Sequence, residues 1–312
     1  MKLIKSNVDL IKQGPGLEGV YKQIEQAGRT CYKSEDKITE DSAKAFVDRM
    51  ITSGHLSMLE HGTVYLSAPF ETHTAKYRNN EYSKVVDTAK DIMNNKSAVT
   101  TNYRVIIENG WEDDLKYLCE PTEYHVKRYT IKLTTNIGVT REGNRHRQSI
   151  AEESTRYCNY SKDKFDNEVS IVAPTWIPVD EYNRNKDYNM TTATNISKQY
   201  YNIPKSITDI DIYFSAIEYS ALCYKLLLDK GWTPQQAREV LPLATKSDVV
   251  YTKFEDEWKH FFDLRLFGTT GKPHPNIEYC AALIYNKLVN NGILPNEEQV
   301  NIFCDNIIKR YE

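Results

Sequence analysis

The 312-residue sequence has no apolar run long enough to cross a bilayer, and residues 1–7 contain no apolar stretch of the signal-peptide kind. A transmembrane helix needs about 20 mostly apolar residues, and a secretory signal needs an apolar core of its own. We therefore expect no membrane association and a cytoplasmic location.

Cysteines are few and scattered, and no two of them form a CxxC pair. Zinc sites and disulfide frameworks use closely spaced cysteines, so neither is expected, and no metal site is predicted. Cys158 stands beside the arginine-rich segment described below, but no neighbour clearly activates its thiol, and we interpret it as structural. The six cysteines are Cys31, Cys119, Cys158, Cys223, Cys280 and Cys304.

No strong charge of one sign is present, because the formal net charge is -3 and the pI is about 6.2. Proteins that bind nucleic acid through bulk charge have a strongly basic domain, so no nucleic-acid partner is expected. The contents of 40% hydrophobic and 27% charged residues are ordinary for a globular protein. The length allows one large domain or two modest ones.

Hydrophobic spacing and turn residues predict the main elements. Helices are predicted over 39–53, 112–118, 206–230 and 275–292, with a short helix that begins at Thr233 and ends before Pro242. Strands are predicted over 63–68, 103–108, 129–135 and 168–172. The polar stretch 178–204 is interpreted as an inserted surface loop. Without repeats or a clear linker, the simplest architecture is one α/β domain over residues 1–312.

The segment from Arg145 to Tyr157 concentrates arginine, histidine, carboxylate and hydroxyl side chains. Arginine presents a rigid fork of donors that matches phosphate and carboxylate, and interleaved hydroxyls complete a polar shell for an anionic ligand. The segment also follows the strand over 129–135, and α/β proteins commonly bind ligands at strand ends. The alternative is a solvated ion-pair network in which Glu142, Glu152 and Glu153 pair with the arginines.

These residues resemble the signature of the flavin-dependent thymidylate synthases, in which Arg-His-Arg and a variable spacer precede Ser-x-Arg-Tyr. Here Arg145-His146-Arg147 is followed by Ser154-Thr155-Arg156-Tyr157. Three further segments match the family in order, and four ordered motifs are far more specific than one. They are Gly54-His55 through Glu60-His61, Ala237 to Pro242, and Trp258 to Arg265.

The resemblance implies one domain with a central, mostly antiparallel sheet packed by helices, and a homotetramer with FAD between subunits. It implies conversion of dUMP to dTMP. Methylenetetrahydrofolate would donate the carbon, reduced FAD would donate the hydride, and NADPH would reduce the flavin.

The resemblance also implies the roles of individual residues. Arg265 would be the catalytic group, lying against the uracil and stabilising negative charge around N3 and O2. Outside their motifs, His61 and His260 would be interpreted as structural, and Thr63 as a strand residue. The implied flavin contacts are His61, Thr63, Arg145, His146, Arg147, Glu152 and His260. The implied dUMP contacts are Glu142, Arg145, Glu152, Ser154, Thr155, Arg156, Arg238 and Arg265.

The chain departs from the family pattern in two places. Six residues separate Arg147 from Ser154, one fewer than is usual, so we expect a tighter turn at Gln148-Ser149. Phe254 and Asp256 stand where many members have Asn and Arg holding the adenosine-diphosphate part of FAD, and Asp256 would repel a pyrophosphate. Lys253 and Lys259 are nearby candidates to replace the missing positive charge.

Two other functions are weighed against the synthase. The altered positions 254 and 256 motivate a non-catalytic, nucleotide-binding descendant of the same fold. An RNA-binding module that uses Arg145 to Arg156 is disfavoured, because the net charge is negative and no aromatic stacking platform is interleaved with the arginines.

Overall fold

Two antiparallel sheets and one parallel strand pair make up the β-structure of the described residues. The computed structural model describes residues 1–69, 74–87, 96–147, 149–177 and 207–311. The sheets are a four-stranded one of order β2-β6-β9-β7, a three-stranded one of order β3-β5-β4, and a parallel pair, β1 with β8. The strands are β1 (Lys2–Ile4), β2 (Asn7–Ile11), β3 (Thr63–Pro69), β4 (Lys84–Val86), β5 (Lys96–Asn102), β6 (Arg128–Asn136), β7 (Ile150–Glu152), β8 (Ser170–Val172) and β9 (Lys246–Phe254).

Helices cover the sheets and join their strands, and none of the described helices is long and apolar enough to cross a bilayer. Short 3-10 helices include Leu56–His61, Glu112–Tyr117, Asn144–His146 and Arg238–Val240. The α-helices are α1 (Gly16–Tyr32), α2 (Ser42–Thr52), α3 (Ala75–Arg78), α4 (Tyr103–Glu108), α5 (Ile137–Gly143), α6 (Asp209–Asp229), α7 (Pro234–Ala237), α8 (Glu255–Arg265), α9 (Pro275–Asn290) and α10 (Glu298–Tyr311).

The four-stranded sheet carries the larger core. β6 and β9 pair from Arg128 with Phe254 to Asn136 with Lys246. Their apolar side chains, such as Leu133 and Val249, pack with Trp258 of α8 and with α9. Because β9 lies between β6 and β7 and beneath helices, its residues are buried from Ser247 to Phe254.

The three-stranded sheet carries a second core with α1 and α2. Val64 of β3 and Val99 of β5 pack with Ile24 and Phe46 from those helices. The predicted fold class, a mostly antiparallel sheet packed by helices, is therefore confirmed, while the domain bounds 1–312 stay a prediction.

Most predicted elements are present with shifted ends. The strand over 129–135 is confirmed within β6, and the strand over 63–68 within β3. Thr233 caps α7 with a capping box to Gln236, as its sequence predicted. The predicted loop at 178–204 lies outside the described residues. The helix predicted over 206–230 is α6, although its predicted first residue is also outside the described residues.

The strand predicted over 103–108 is wrong, because these residues form helix α4. The Asn102 side chain accepts a hydrogen bond from the Val105 amide at 3.1 Å and so caps the helix. Tyr103, Val105 and Ile106 are buried, so packing outweighs the strand preference of the β-branched residues.

Candidate active site

The Arg-His-Arg segment follows strand β6 after the short helix α5. Asn136 accepts a hydrogen bond from the Val139 amide at 3.0 Å, which caps α5, and a 3-10 helix over Asn144–His146 continues it. Helix α5 therefore separates Arg145 and His146 from the end of β6, whereas the sequence predicted that the segment begins directly past a strand end.

Strand β9 links this segment to the motif near the end of the chain. Ile150 pairs with Tyr251, and Glu152 pairs with Val249, so the arginine-rich segment adds strand β7 beside β9. β9 runs directly into α8, which carries His260 and Arg265. Two motifs that are distant in sequence thus meet at one strand.

A cleft of about 790 Å³ lies where these segments meet. Its volume is typical of ligand pockets, which span roughly 300–1,000 Å³. The structure therefore brings together residues that the resemblance assigns to flavin or dUMP. Those lining the cleft are Glu142, Arg145, His146, His260 and Arg265.

Arg265, the predicted catalytic group, contacts two residues of the arginine-rich segment. Its Nε atom donates to Nε2 of His146 at 3.2 Å, and its Nη2 atom donates to the backbone carbonyl of Glu142 at 3.1 Å. Its Nη1 atom lies 3.5 Å from Oε2 of Glu142, and its side chain is 18% exposed. The guanidinium is therefore fixed in orientation yet reachable from the cleft.

His146 is neutral at neutral pH. Burial, with the positive charges of Lys253 and Arg265, lowers the pKa of its imidazole to about 4. Because Arg265 can only donate, Nε2 of His146 is the acceptor, which places the imidazole proton on Nδ1. The His146 ring also lies 5.7 Å from the ring of His260 at the cleft wall.

The backbone on either side of position 148 is left-handed. Arg147 and Ser149 have φ angles of 35° and 40°, in the left-handed region, and such a conformation costs a non-glycine residue roughly 1–2 kcal/mol. Position 148 lies outside the described residues. The two left-handed residues flank this position, and the expected tightening at Gln148-Ser149 stays a prediction. Arg147 is exposed and does not line the cleft in the described part of the chain.

Glu152 uses its carboxylate within the fold. Oε1 accepts hydrogen bonds from Thr140 at 2.6 Å and from Ser247 at 3.0 Å. Oε2 accepts from the amide of Asn144 at 2.8 Å. These bonds tie β7 to α5 and β9, and they give Glu152 a structural role whatever it contacts in a ligand.

Other predicted dUMP residues form a second group away from the cleft lining. Arg238 donates to Oγ1 of Thr155 at 3.1 Å, and Arg156 donates to the Gln235 side chain at 3.0 Å. The Ser154 hydroxyl accepts from the Arg156 amide at 3.3 Å. The Arg-His-Arg signature and the Arg238 motif thus contact each other, but among the described residues this group does not line the cleft.

His61 and Thr63 are enclosed rather than exposed to the cleft. His61 has no exposed surface, and its Nδ1 atom lies 2.9 Å from Oγ1 of Thr252. Burial, with the charges of Arg128 and Lys253, lowers its pKa to about 3. Its Nε2 atom has no hydrogen-bond partner among the described residues. In this chain alone, neither residue reaches a ligand in the cleft.

The two unusual positions 254 and 256 are built into a local cluster. Asp256 accepts from Lys84 of β4 at 3.0 Å. The Phe254 ring has Lys84 and Arg128 at 5.5 and 5.3 Å from its centroid. The negative charge that Asp256 brings to the cleft is therefore partly neutralised by Lys84.

Sequence reasoning assigned no role to Arg128 or to the side chain of Glu60, and it considered Lys253 only as a candidate replacement for the positive charge missing at position 256. Lys253 is almost wholly buried in β9, lines the cleft, and donates to the His146 carbonyl at 2.9 Å. The available signal was a lysine within a run of strand-forming residues. A lysine buried in such a strand must be hydrogen-bonded, so it indicates a specific contact. No comparable signal marked Arg128.

Two solved structures of a UMP/dUMP methylase, PolB, from Streptomyces cacaoi are similar to this chain. One, bound with 5-Br dUMP, has 16% identity and a TM-score of 0.40 over 99% of each chain. The other, bound with 5-Br UMP, has 15% identity and a TM-score of 0.40, covering 100% of this chain and 97% of that one.

No curated protein sequence matches the chain. A family model described as thymidylate synthase complementing protein matches residues 81–291. This span includes the Arg-His-Arg segment, the Arg238 motif and the Arg265 motif. Since the match covers about two thirds of the chain, the protein belongs to the thymidylate synthase complementing family, the flavin-dependent thymidylate synthases.

Proposed function

We propose that the protein converts dUMP to dTMP, with methylenetetrahydrofolate as carbon donor, FAD as hydride carrier and NADPH as reductant. The balance is dUMP, methylenetetrahydrofolate, NADPH and a proton giving dTMP, tetrahydrofolate and NADP⁺. The single observation that carries the proposal is Arg265, fixed by Glu142 and His146 in a cleft of about 790 Å³.

The donors of the cleft suit a flavin nucleotide. The carboxylates that line the cleft have partners within the chain. Glu142 contacts Arg265, Asp256 contacts Lys84, and Glu257 accepts a hydrogen bond from the Phe254 amide. Arg265 is assigned to the uracil, and Lys253 is buried and bonded to the His146 carbonyl. The cleft cations left to meet the flavin phosphates are Arg145 and Lys272. When bound and reduced, the flavin supplies the hydride that completes the methyl group.

Arg265 would act on the pyrimidine by electrostatics alone. Its guanidinium is held by groups of the fold, so it needs no reorganisation when negative charge develops around N3 and O2 of the uracil. A fixed donor aimed at developing charge is worth about 10²–10³ in rate. His146, being neutral, would accept from Arg265 without competing for that charge.

A second copy of the chain would complete the site. Thr155, Arg156 and Arg238 form a polar group suited to the dUMP phosphate, yet they lie apart from the cleft that holds Arg265. We infer that these phosphate-binding residues of one subunit face the cleft of another subunit. FAD would lie between the two subunits in a homotetramer.

Helix α6 offers an apolar surface for this association. Ile212, Tyr219 and Leu226 are 42%, 53% and 50% exposed, and their seven-residue spacing places them on one side of the helix. Exposed apolar stripes of this kind are typical of interfaces. The double variant Tyr219→Lys, Leu226→Lys should give a smaller particle by light scattering and lose dTMP formation. An unchanged particle mass would place the interface elsewhere.

The visible absorbance spectrum of the purified protein, before and after FAD and then dUMP are added, tests the proposal. Bound-flavin bands that dUMP perturbs, with dTMP formed on addition of both co-substrates, support the synthase. Tight dUMP binding without flavin at high FAD would instead favour the non-catalytic, nucleotide-binding descendant.

A further inference from the structure

Two buried cations contact the turn that carries the Arg-His-Arg segment. We define the signature turn as His146, Arg147 and Ser149. Nζ of Lys253 donates to the backbone carbonyl of His146 at 2.9 Å. Nη2 of Arg128 donates to the Ser149 hydroxyl at 2.9 Å. The turn is therefore fastened at both ends by side chains from neighbouring strands, β9 and β6.

The remaining polar groups of Ser149 are also bonded. Its amide donates to Oε2 of Glu60 at 3.0 Å, and its carbonyl accepts from the Thr252 amide at 3.1 Å. Glu60 is itself oriented by Arg104, whose Nη1 donates to Oε1 at 2.6 Å. Ser149 is thus bonded through its amide, its carbonyl and its hydroxyl, and its left-handed backbone has few alternatives.

The burial of these cations is costly. Lys253 is 1% exposed and Arg128 is 8% exposed, and no ion pair of either with a carboxylate is seen within the described residues. Burial lowers the pKa of Lys253 to about 8 and that of Arg128 below its usual range. A buried cation must recover its desolvation through hydrogen bonds, and the short bonds that these two make end on the signature turn.

The other side-chain hydrogen bonds of Arg128 are longer. Arg128 also donates to Oγ1 of Thr63 at 3.4 Å and to the Thr252 carbonyl at 3.5 Å. Both distances exceed the 2.9 Å bond to Ser149. The signature turn is therefore the principal acceptor of the Arg128 guanidinium.

We propose that Lys253 and Arg128 are positioning residues, which hold the signature turn in the left-handed conformation that presents Arg145 and His146 to the cleft. This inference rests on the proposed function, because it takes dUMP with bound flavin as the ligand. Since His146 in turn accepts from Arg265, a released turn also frees the catalytic guanidinium.

Hydrogen–deuterium exchange of the peptide spanning 145–151, with dUMP titration of the FAD-loaded protein, tests this proposal. Lys253→Met and Arg128→Met should each raise the local exchange rate and weaken dUMP binding by roughly 10-fold, the loss of one charge-assisted bond. Arg128→Lys, which keeps a cationic donor, should recover most of the affinity. Lys309→Met, on the exposed end of α10, is the matched control and should change neither readout.

A mutant cycle identifies the contact. Ser149→Ala removes the acceptor of Arg128, so adding it to Arg128→Met should cause little further loss of affinity. If Arg128→Met does not fold, Ser149→Ala alone tests the same bond. Unchanged exchange, or raised exchange with unchanged dUMP affinity, would overturn the positioning role. Raised exchange in a protein whose wild type binds no dUMP would instead overturn the proposed function and leave the fastening of the turn intact.

Discussion

Arg265 and His146 are 119 positions apart in the chain, and Nε of the arginine donates to Nε2 of the histidine at 3.2 Å. The bond needs a neutral imidazole, because a protonated ring has no acceptor. The orientation of the proposed catalytic group therefore depends on the protonation state of its neighbour.

The first prediction concerns Arg265→Ala. We expect dTMP formation to fall by about 10²–10³ or more, because a fixed donor for developing charge is lost, while flavin stays bound. Turnover per bound flavin and the flavin content of the purified variant are the two measurements. Flavin loss with unchanged turnover per remaining flavin would contradict the assigned role.

A second prediction concerns the titration of His146 in the ligand-free protein. Its pKa of about 4, lowered by burial and then by Lys253 and Arg265, lies below the unfolded value of about 6.5. The unfolded chain then binds more protons between these two values, so this group lowers stability as pH falls from about 6.5 towards 4.

Nuclear magnetic resonance of the imidazole nitrogens would measure that titration, with the His146→Gln spectrum to assign the signal. We expect a neutral ring with its proton on Nδ1 throughout the neutral range. A ring already protonated at pH 6 would be incompatible with the Arg265 hydrogen bond.

The third prediction is that Asp256→Arg raises the affinity for FAD. The change replaces an anion at the cleft with a cation that attracts pyrophosphate. Its cost in stability should be small, because Lys84 and Asp256 are 38% and 60% exposed and exposed pairs contribute about 0–1 kcal/mol. Asp256→Asn separates loss of repulsion from gain of attraction. An unchanged or weaker FAD titration would mean that the adenosine end of FAD does not pass this position.

The fourth prediction concerns stability at alkaline pH. Burial lowers the pKa of Lys253 to about 8, despite the opposing charge of Glu257, and Arg128 lowers it further. Between about pH 8 and the unfolded value near 10.4 the unfolded chain binds more protons at this site, so its contribution raises stability with pH.

Lys253→Met should lack that rise. The free energy of unfolding in urea, measured for both proteins from about pH 7.5 to 10, gives the test. The groups that face Lys253 are the Glu257 carboxylate, the Arg128 guanidinium, the His61 and His146 imidazoles, the His146 carbonyl and the Tyr251 ring. Parallel curves for the two proteins would show that Lys253 keeps an ordinary pKa in the fold.

The parts of the site that could be predicted are those with local chemical signatures. Arg145, His146 and Arg265 stand in motifs whose residue types suit an anionic ligand, and they meet at one cleft. Strand β6 and the cap at Thr233 were equally readable, since alternation and capping act over a few residues.

Long-range contacts explain what could not be predicted. Residues 103–108 have a strand-like composition, and the burial of Tyr103, Val105 and Ile106, together with the Asn102 cap, makes them a helix. Arg128 and Glu60 reach Ser149 across 21 and 89 positions. Nothing near them in sequence signals these contacts, and the same holds for Lys84 beside Asp256.

Strand β9 receives the arginine-rich segment through the pairs Ile150–Tyr251, Ala151–Val250 and Glu152–Val249, and it then leads directly into the helix of Arg265. A segment grafted from another family member would have to fit this register as well as its ligands. Substitutions at 150–152 should therefore covary with those at 249–251 among relatives. The Arg-His-Arg segment and the Arg265 motif would then change together in evolution.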